Sequence, residues 1–181
     1  IRGFIVGADE KARVIDGRSI RPGDALIGLP SSGLHTNGYS LARRVLFDTA
    51  RLSPDSMRPE LGTTIGDALL APHRSYLRAV SPLLDSGVVK GMAHITGGGI
   101  TENLPRALPE GRAFTLDHRS WTPPALFIWL QTAGGLADAE MFRVFNMGVG
   151  LILACSPDDT DAVLATLSDA GDPAWVIGVV T

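Results

Sequence analysis

The chain reads as a mixed β-sheet covered by helices, and three observations lead there. Strand and helix signals alternate irregularly along its 181 residues. Two hairpin-like turns near the start stand beside several strand–helix units further on. The glycine fingerprint of a parallel dinucleotide fold, G-x-G-x-x-G with an acid about 20 residues on, is absent from the sequence. So is the G-x-x-x-x-G-K-[ST] phosphate loop. The length suits one domain with a substantial core, so residues 1–181 are taken as a single domain.

Each element has its own signal. Residues 1–8 alternate loosely and predict a strand, 9–11 a polar turn and 12–15 a returning strand. Asp16-Gly17 and Pro22-Gly23-Asp24 are turns. Residues 25–29 form a buried strand ending at Pro30. A run of mostly small and polar residues, 31–40, leads into a helix over 39–47 with Leu41, Val45 and Leu46 on one face. Residues 51–62 connect. Thr63 or Thr64 caps a short helix over 65–70, Pro72 interrupts it, and a second helix covers 75–84. Gly87 closes that helix, and the apolar run 88–95 is a strand. It feeds straight into Gly97-Gly98-Gly99, with a helix over 100–108 beyond. A short strand over 112–116 follows, then a helix over 125–131 opened by Pro123-Pro124, then a short helix over 137–142. Glycines punctuate the strand over 149–155, marking a bulge or a close approach. Ser156 caps and Pro157 opens a helix over 157–170, and residues 174–180 are the last strand.

Composition excludes several functions. Net charge is −3, and the 16 Lys and Arg are scattered without a basic run, which argues against nucleic acid. No apolar stretch reaches the roughly 18 residues of a membrane span, and there is no signal-peptide pattern. A cytoplasmic location is expected. Cys155, inside an apolar run, is expected to be a buried structural thiol. The four histidines lie far apart in sequence, no metal-ligand spacing occurs, and no metal site is expected. His73 reads as a surface or capping residue. The first residue is Ile and not Met, which suggests an excised or processed piece.

The strand–glycine–helix passage 94–103 carries the strongest chemical signal. Such a turn aims backbone N–H groups at an anion, and Gly97, Gly98 and Gly99 exceed what a plain turn needs. The 31–40 loop lies at the carboxyl end of a buried strand, where α/β folds bind ligands. It gathers hydroxyls, an amide and the His35 imidazole.

Three segments taken together, Pro30-Ser31-Ser32-Gly33-Leu34-His35-Thr36-Asn37-Gly38-Tyr39-Ser40, His94-Ile95-Thr96-Gly97-Gly98-Gly99 and Phe145-Asn146-Met147-Gly148-Val149-Gly150, resemble the C-terminal domain of the aminoimidazole ribonucleotide synthetases, the phosphoribosylformylglycinamidine cyclo-ligases of purine synthesis. The resemblance covers almost the whole chain. It implies an α+β fold: a mixed β-sheet with helical layers, partly ferredoxin-like. It also implies a reaction in which ATP phosphorylates the formyl oxygen of formylglycinamidine ribonucleotide and the amidine nitrogen then closes the imidazole ring. An N-terminal domain, absent here, would carry most of the ATP and Mg2+ site and the homodimer interface, so the isolated half is expected to be inactive. On this resemblance Ser32, Asn37, Arg143 and Asn146 are substrate-binding candidates, Gly97 to Gly99 hold a phosphate, and His35 moves a proton, since an ordinary imidazole titrates near pH 6.5. Two other classes stay open. One is a non-catalytic ligand-binding or interaction domain. The other is a relative of the selenophosphate synthetase or thiamine-monophosphate kinase type.

Overall fold

The computed structural model describes residue 4, residues 6–8 and residues 10–181. The strand expected over 1–8 falls largely outside the described residues. The expected return strand over 12–15 is replaced by a 3-10 turn, Lys11–Arg13.

In chain order, β1 (Ala25–Pro30) leads through the 31–38 loop to α1 (Tyr39–Arg43), which widens into a π-helix over Arg44–Thr49. A small ribbon, β2 (Met57–Arg58) and β3 (Thr63–Thr64), precedes α2 (Ile65–Leu69), α3 (Leu77–Ser86) and β4 (Gly91–His94). Next come α4 (Gly99–Asn103), β5 (Phe114–Leu116), α5 (Ala125–Gly134) and α6 (Asp138–Val144). The chain closes with β6 (Val149–Cys155), α7 (Thr160–Asp169) and β7 (Trp175–Val180). Most expected elements are present with ends shifted by a few residues. The helix expected over 100–108 is α4 and a separate 3-10 turn, Leu104–Ala107, because Pro105 cannot donate the next helical hydrogen bond. Thr64 does cap α2, its hydroxyl accepting from Asp67 N–H.

The main sheet has the order β4-β6-β1-β7-β5. The fold is α+β, but every pairing in this sheet is antiparallel instead of mixed. β1 and β4 do run the same way, as strand–helix units suggest, yet β6 lies between them. β6 and β7 also run the same way, with β1 between them. These two interleaved split β-α-β units are the ferredoxin-like arrangement, and β5 extends it at one edge.

Strand alternation sorts the core. Ala25, Ile27 and Leu29 face α3 and α7, together with Leu151, Leu153 and Cys155. Leu26, Ile152 and Ala154 face α4 and Trp121 on the other side. Cys155 is buried there as expected, and burial raises its thiol pKa. A second core gathers α1, α2, α5 and α6 around Phe127, Leu130 and Phe145. Phe142 packs against both this helical core and the α4 face of the sheet, joining the two. Among the described residues, no helix is long and apolar enough to cross a membrane.

Candidate functional site

Topology gathers the three sequence motifs. The carboxyl ends of β1 and β4 and the amino end of β6 lie at the same end of the sheet, because β6 runs opposite to both. The loop after β1, the glycine loop after β4 and the 145–148 segment before β6 are therefore neighbours. Ser31 N–H donates to Gly148 O at 2.9 Å, and Ile95 N–H donates to Gly150 O at 2.9 Å.

His35 is the buried centre of this end, only 4% exposed. Its backbone is left-handed, φ 56°. Ser32 N–H donates to its Nε2 at 3.1 Å, so a neutral ring carries its proton on Nδ1, and Nδ1 has no hydrogen-bond partner. Burial, then the neighbouring His73, His94 and Arg74, lower its pKa to about 4. The ordinary imidazole value expected from sequence therefore does not hold. Gly150 explains part of the packing: a Cβ there would lie 2.6 Å from His35 Cε1 and collide with the Tyr76 hydroxyl. This is the close approach that a glycine inside a strand predicts.

Distance along the chain is a poor guide to the histidines. His73, from the segment between α2 and α3, stacks on His35 with ring centroids 3.9 Å apart. His94, the last residue of β4, places its Nε2 3.2 Å from His73 Nε2. The ligating atoms of His35, His73 and His94 all lie within 4.8 Å of one another. Burial and His73 lower the pKa of His94. Three of the four histidines that gave no metal-ligand spacing in sequence thus form one cluster, and His73 belongs to it.

The other candidates divide. Asn37 and Arg143 come together on a cavity of about 500 Å³ that Ser40, Arg44 and Glu140 also line. Arg143 is held by Glu140, its Nε and Nη2 donating at 2.8 and 2.7 Å. Ser32 faces a different cavity beside Thr63 and Asp67, and its hydroxyl donates to Pro72 O at 2.6 Å. Asn146 is buried and engaged at both ends of its amide: Nδ2 donates to Gly33 O at 2.9 Å, while Oδ1 accepts from the Ser31 hydroxyl and Gly148 N–H. It ties the loops together.

The glycines also differ from one another. Gly98 and Gly99 have φ of 95° and 60°. A Cβ on Gly98 would meet the Glu102 carboxylate, and one on Gly99 would meet Phe142 O of α6. Gly97 is the open one, its nearest neighbour being Asn37 Oδ1 at 3.4 Å. Asn103, which sequence reasoning passed over, clamps the loop from inside by donating to Thr96 O, Gly97 O and Gly99 O. Another cavity of similar size, about 510 Å³ and mostly apolar, is lined by Phe114, Leu116 and His118 and holds none of the sequence candidates.

A ferredoxin-like antiparallel sheet with a loop-built histidine cluster at one end defines an α+β domain of the split β-α-β class. Residues 21–181 match the model of the family described as AIR synthase related protein, C-terminal domain, and the chain belongs to that family. It is 50% identical over 180 residues to the phosphoribosylformylglycinamidine cyclo-ligase of Paraburkholderia xenovorans, covering 99% of this chain and 50% of the relative. The cyclo-ligase of Burkholderia cenocepacia is 49% identical over the same span. The chain thus spans about half the length of the curated relatives it matches. Among solved structures, the Escherichia coli hydrogenase maturation protein HypE shares the fold with TM-score 0.55 at 21% identity, over 91% of this chain and 45% of that one. Phosphoribosylformylglycinamidine synthase II of Thermotoga maritima does so with TM-score 0.54 at 13% identity, over 94% and 24%.

Proposed function

We propose that this chain is the substrate-binding half of a phosphoribosylformylglycinamidine cyclo-ligase. With an N-terminal half it converts formylglycinamidine ribonucleotide and ATP to aminoimidazole ribonucleotide, ADP and phosphate. The observation that supports this most is the 50% identity to such cyclo-ligases over 99% of the chain. The site geometry agrees in kind. A guanidinium suits phosphate, and Arg143, whose Nε and Nη2 are held by Glu140, stands with Asn37 on an open cavity. The glycine loop offers a second anion seat, reached once the exposed Glu102 side chain swings off Gly98. On this reading His35, neutral at pH 7 because of its lowered pKa, exchanges a proton as the ring closes. Asn146 acts by holding the loops and Ser32 by seating His35.

ATP is the phosphoryl donor and Mg2+ its partner, both held mainly by the N-terminal half, which also makes the homodimer. Mg2+ takes oxygen ligands, whereas the ionisable groups that converge here are imidazoles. They fit Mg2+ poorly. A cytoplasmic location goes with this reading.

The test is reconstitution. This chain, mixed with the N-terminal half of the Paraburkholderia xenovorans cyclo-ligase, should form aminoimidazole ribonucleotide in an ATP-dependent assay and should form none alone. Turnover of thiamine monophosphate or selenide in its place would reassign the domain to another branch of the superfamily. Failure of every substrate, with both halves folded and associated, would leave an interaction domain.

A further inference from the structure

We infer that His73, His94 and His35 form a binding site for a first-row transition-metal ion of the Zn2+ class. The His73 and His94 Nε2 atoms are 3.2 Å apart. Two imidazole nitrogens on one tetrahedral Zn2+, each at about 2.0–2.1 Å, stand roughly 3.3 Å from each other. The present spacing already matches that of two ligands on one ion. His73 Nδ1 lies 2.9 Å from Arg74 O. Donation of Nδ1–H to that carbonyl turns the Nε2 lone pair toward the cluster, and such a carbonyl partner is what fixes the tautomer of metal-bound histidines. His94 ligates once its ring proton sits on Nδ1 and leaves Nε2 free.

The third ligand is His35, and a buried ring nitrogen left without a partner is the independent sign of a ligand. It is more than nine-tenths buried, and its Nδ1 has no hydrogen-bond partner. Ligation through Nδ1 moves the ring proton to Nε2 and gives up the bond from Ser32 N–H. That cost holds the affinity below that of a closed structural zinc site, which has four ligands. The fixed cation that acts on His35, Arg74, is engaged by Asp172, which reduces its repulsion of an incoming ion. His73 and His94 are exposed, so the ion keeps an open position toward solvent. Imidazole donors select Zn2+, Co2+, Ni2+ and Cu2+ over Mg2+ and Ca2+. On the ring-closure reading, a bound ion and proton transfer by His35 exclude each other, so such an ion would inhibit. The binding test below holds whether or not that reading does.

Calorimetry with Zn2+ on the purified chain is expected to show one ion per chain at micromolar affinity, and Co2+ is expected to give the intense visible bands of a four-coordinate complex. His73→Ala and His94→Ala, both at exposed positions, should each weaken binding about tenfold or more with unchanged thermal melts. His118→Ala, outside the cluster, should leave binding unchanged. His35→Asn, checked by melt, should weaken binding as well, since Asn tolerates the left-handed backbone. Zn2+ binding that survives loss of both His73 and His94, or the lack of saturable binding in the parent, would overturn the site. Binding untouched in a folded His35→Asn would remove the third ligand.

Discussion

At the scale of single residues, the site is built by side chains whose polar atoms point inward. Asn146 is the clearest case. Its amide bonds Gly33 O, the Ser31 hydroxyl and Gly148 N–H from a buried position. Asn146→Ala leaves those loop groups without partners and is expected to lower unfolding stability by about 2–3 kcal/mol, read as a fall in the urea midpoint. An unchanged midpoint would mean that Asn146 is free to serve a ligand. His35 makes a different prediction. Its folded pKa of about 4 lies below the value of 6.5 for a free imidazole, so the unfolded chain binds the proton first. Its contribution is intact above about pH 6.5 and is lost progressively as pH falls toward about 4, by at most about 3 kcal/mol. Urea midpoints measured with chelator on either side of that window should diverge in the parent and converge in His35→Asn. Equal divergence in both would assign the effect to other groups.

Elements explain why the glycine loop could be read only in part from sequence. A strand, three glycines and a helix are all visible in the residues, and all are present. What each glycine does depends on elements distant in sequence. Gly99 is pressed against Phe142 O by the packing of α4 on α6, and Gly98 is covered by Glu102 from the next turn. Gly99→Ala should therefore cost about 3 kcal/mol or more, through both the left-handed backbone and the collision. Gly97→Ala should stay within about 0.5 kcal/mol of the parent, since its Cβ meets only Asn37 Oδ1 at ordinary contact distance. Thermal melts of the two variants decide this, and equal losses would refute the division. Gly97 is thus the position at which anion binding can be probed without disturbing the turn. The same limit explains the histidines. His35 follows β1, His73 follows α2 and His94 ends β4, and no spacing rule links residues that only the tertiary fold brings together. Local signals placed β1, β6 and β7 within a residue or so, because continuous apolar runs bounded by Pro or Gly leave little choice. The sheet is antiparallel where the sequence predicts a mixed one for the converse reason: strand–helix units reveal direction but not which strand will be inserted between two parallel ones.

Across the whole molecule, that insertion governs stability. β6 fills the gap between β1 and β4, and β1 fills the gap between β6 and β7. Neither split unit can complete its sheet without the other, so the sheet should form as one cooperative unit. β1 and β6 each have strand neighbours on both sides and are buried along nearly their whole length. Their amides can exchange only through opening of the entire sheet. β5, three residues at the edge with partly exposed side chains, is paired to β7 alone and can fray by itself. Native-state hydrogen exchange should accordingly find β1 and β6 exchanging with the full global unfolding free energy, and β5 exchanging several kcal/mol below it. The helical core is joined to the sheet through Phe142. Phe142→Ala should therefore both destabilise the whole chain by about 3 kcal/mol and let the amides of α5 exchange ahead of those of β1. If α5 and β1 still exchanged together in that variant, the two cores would be coupled by contacts other than this side chain.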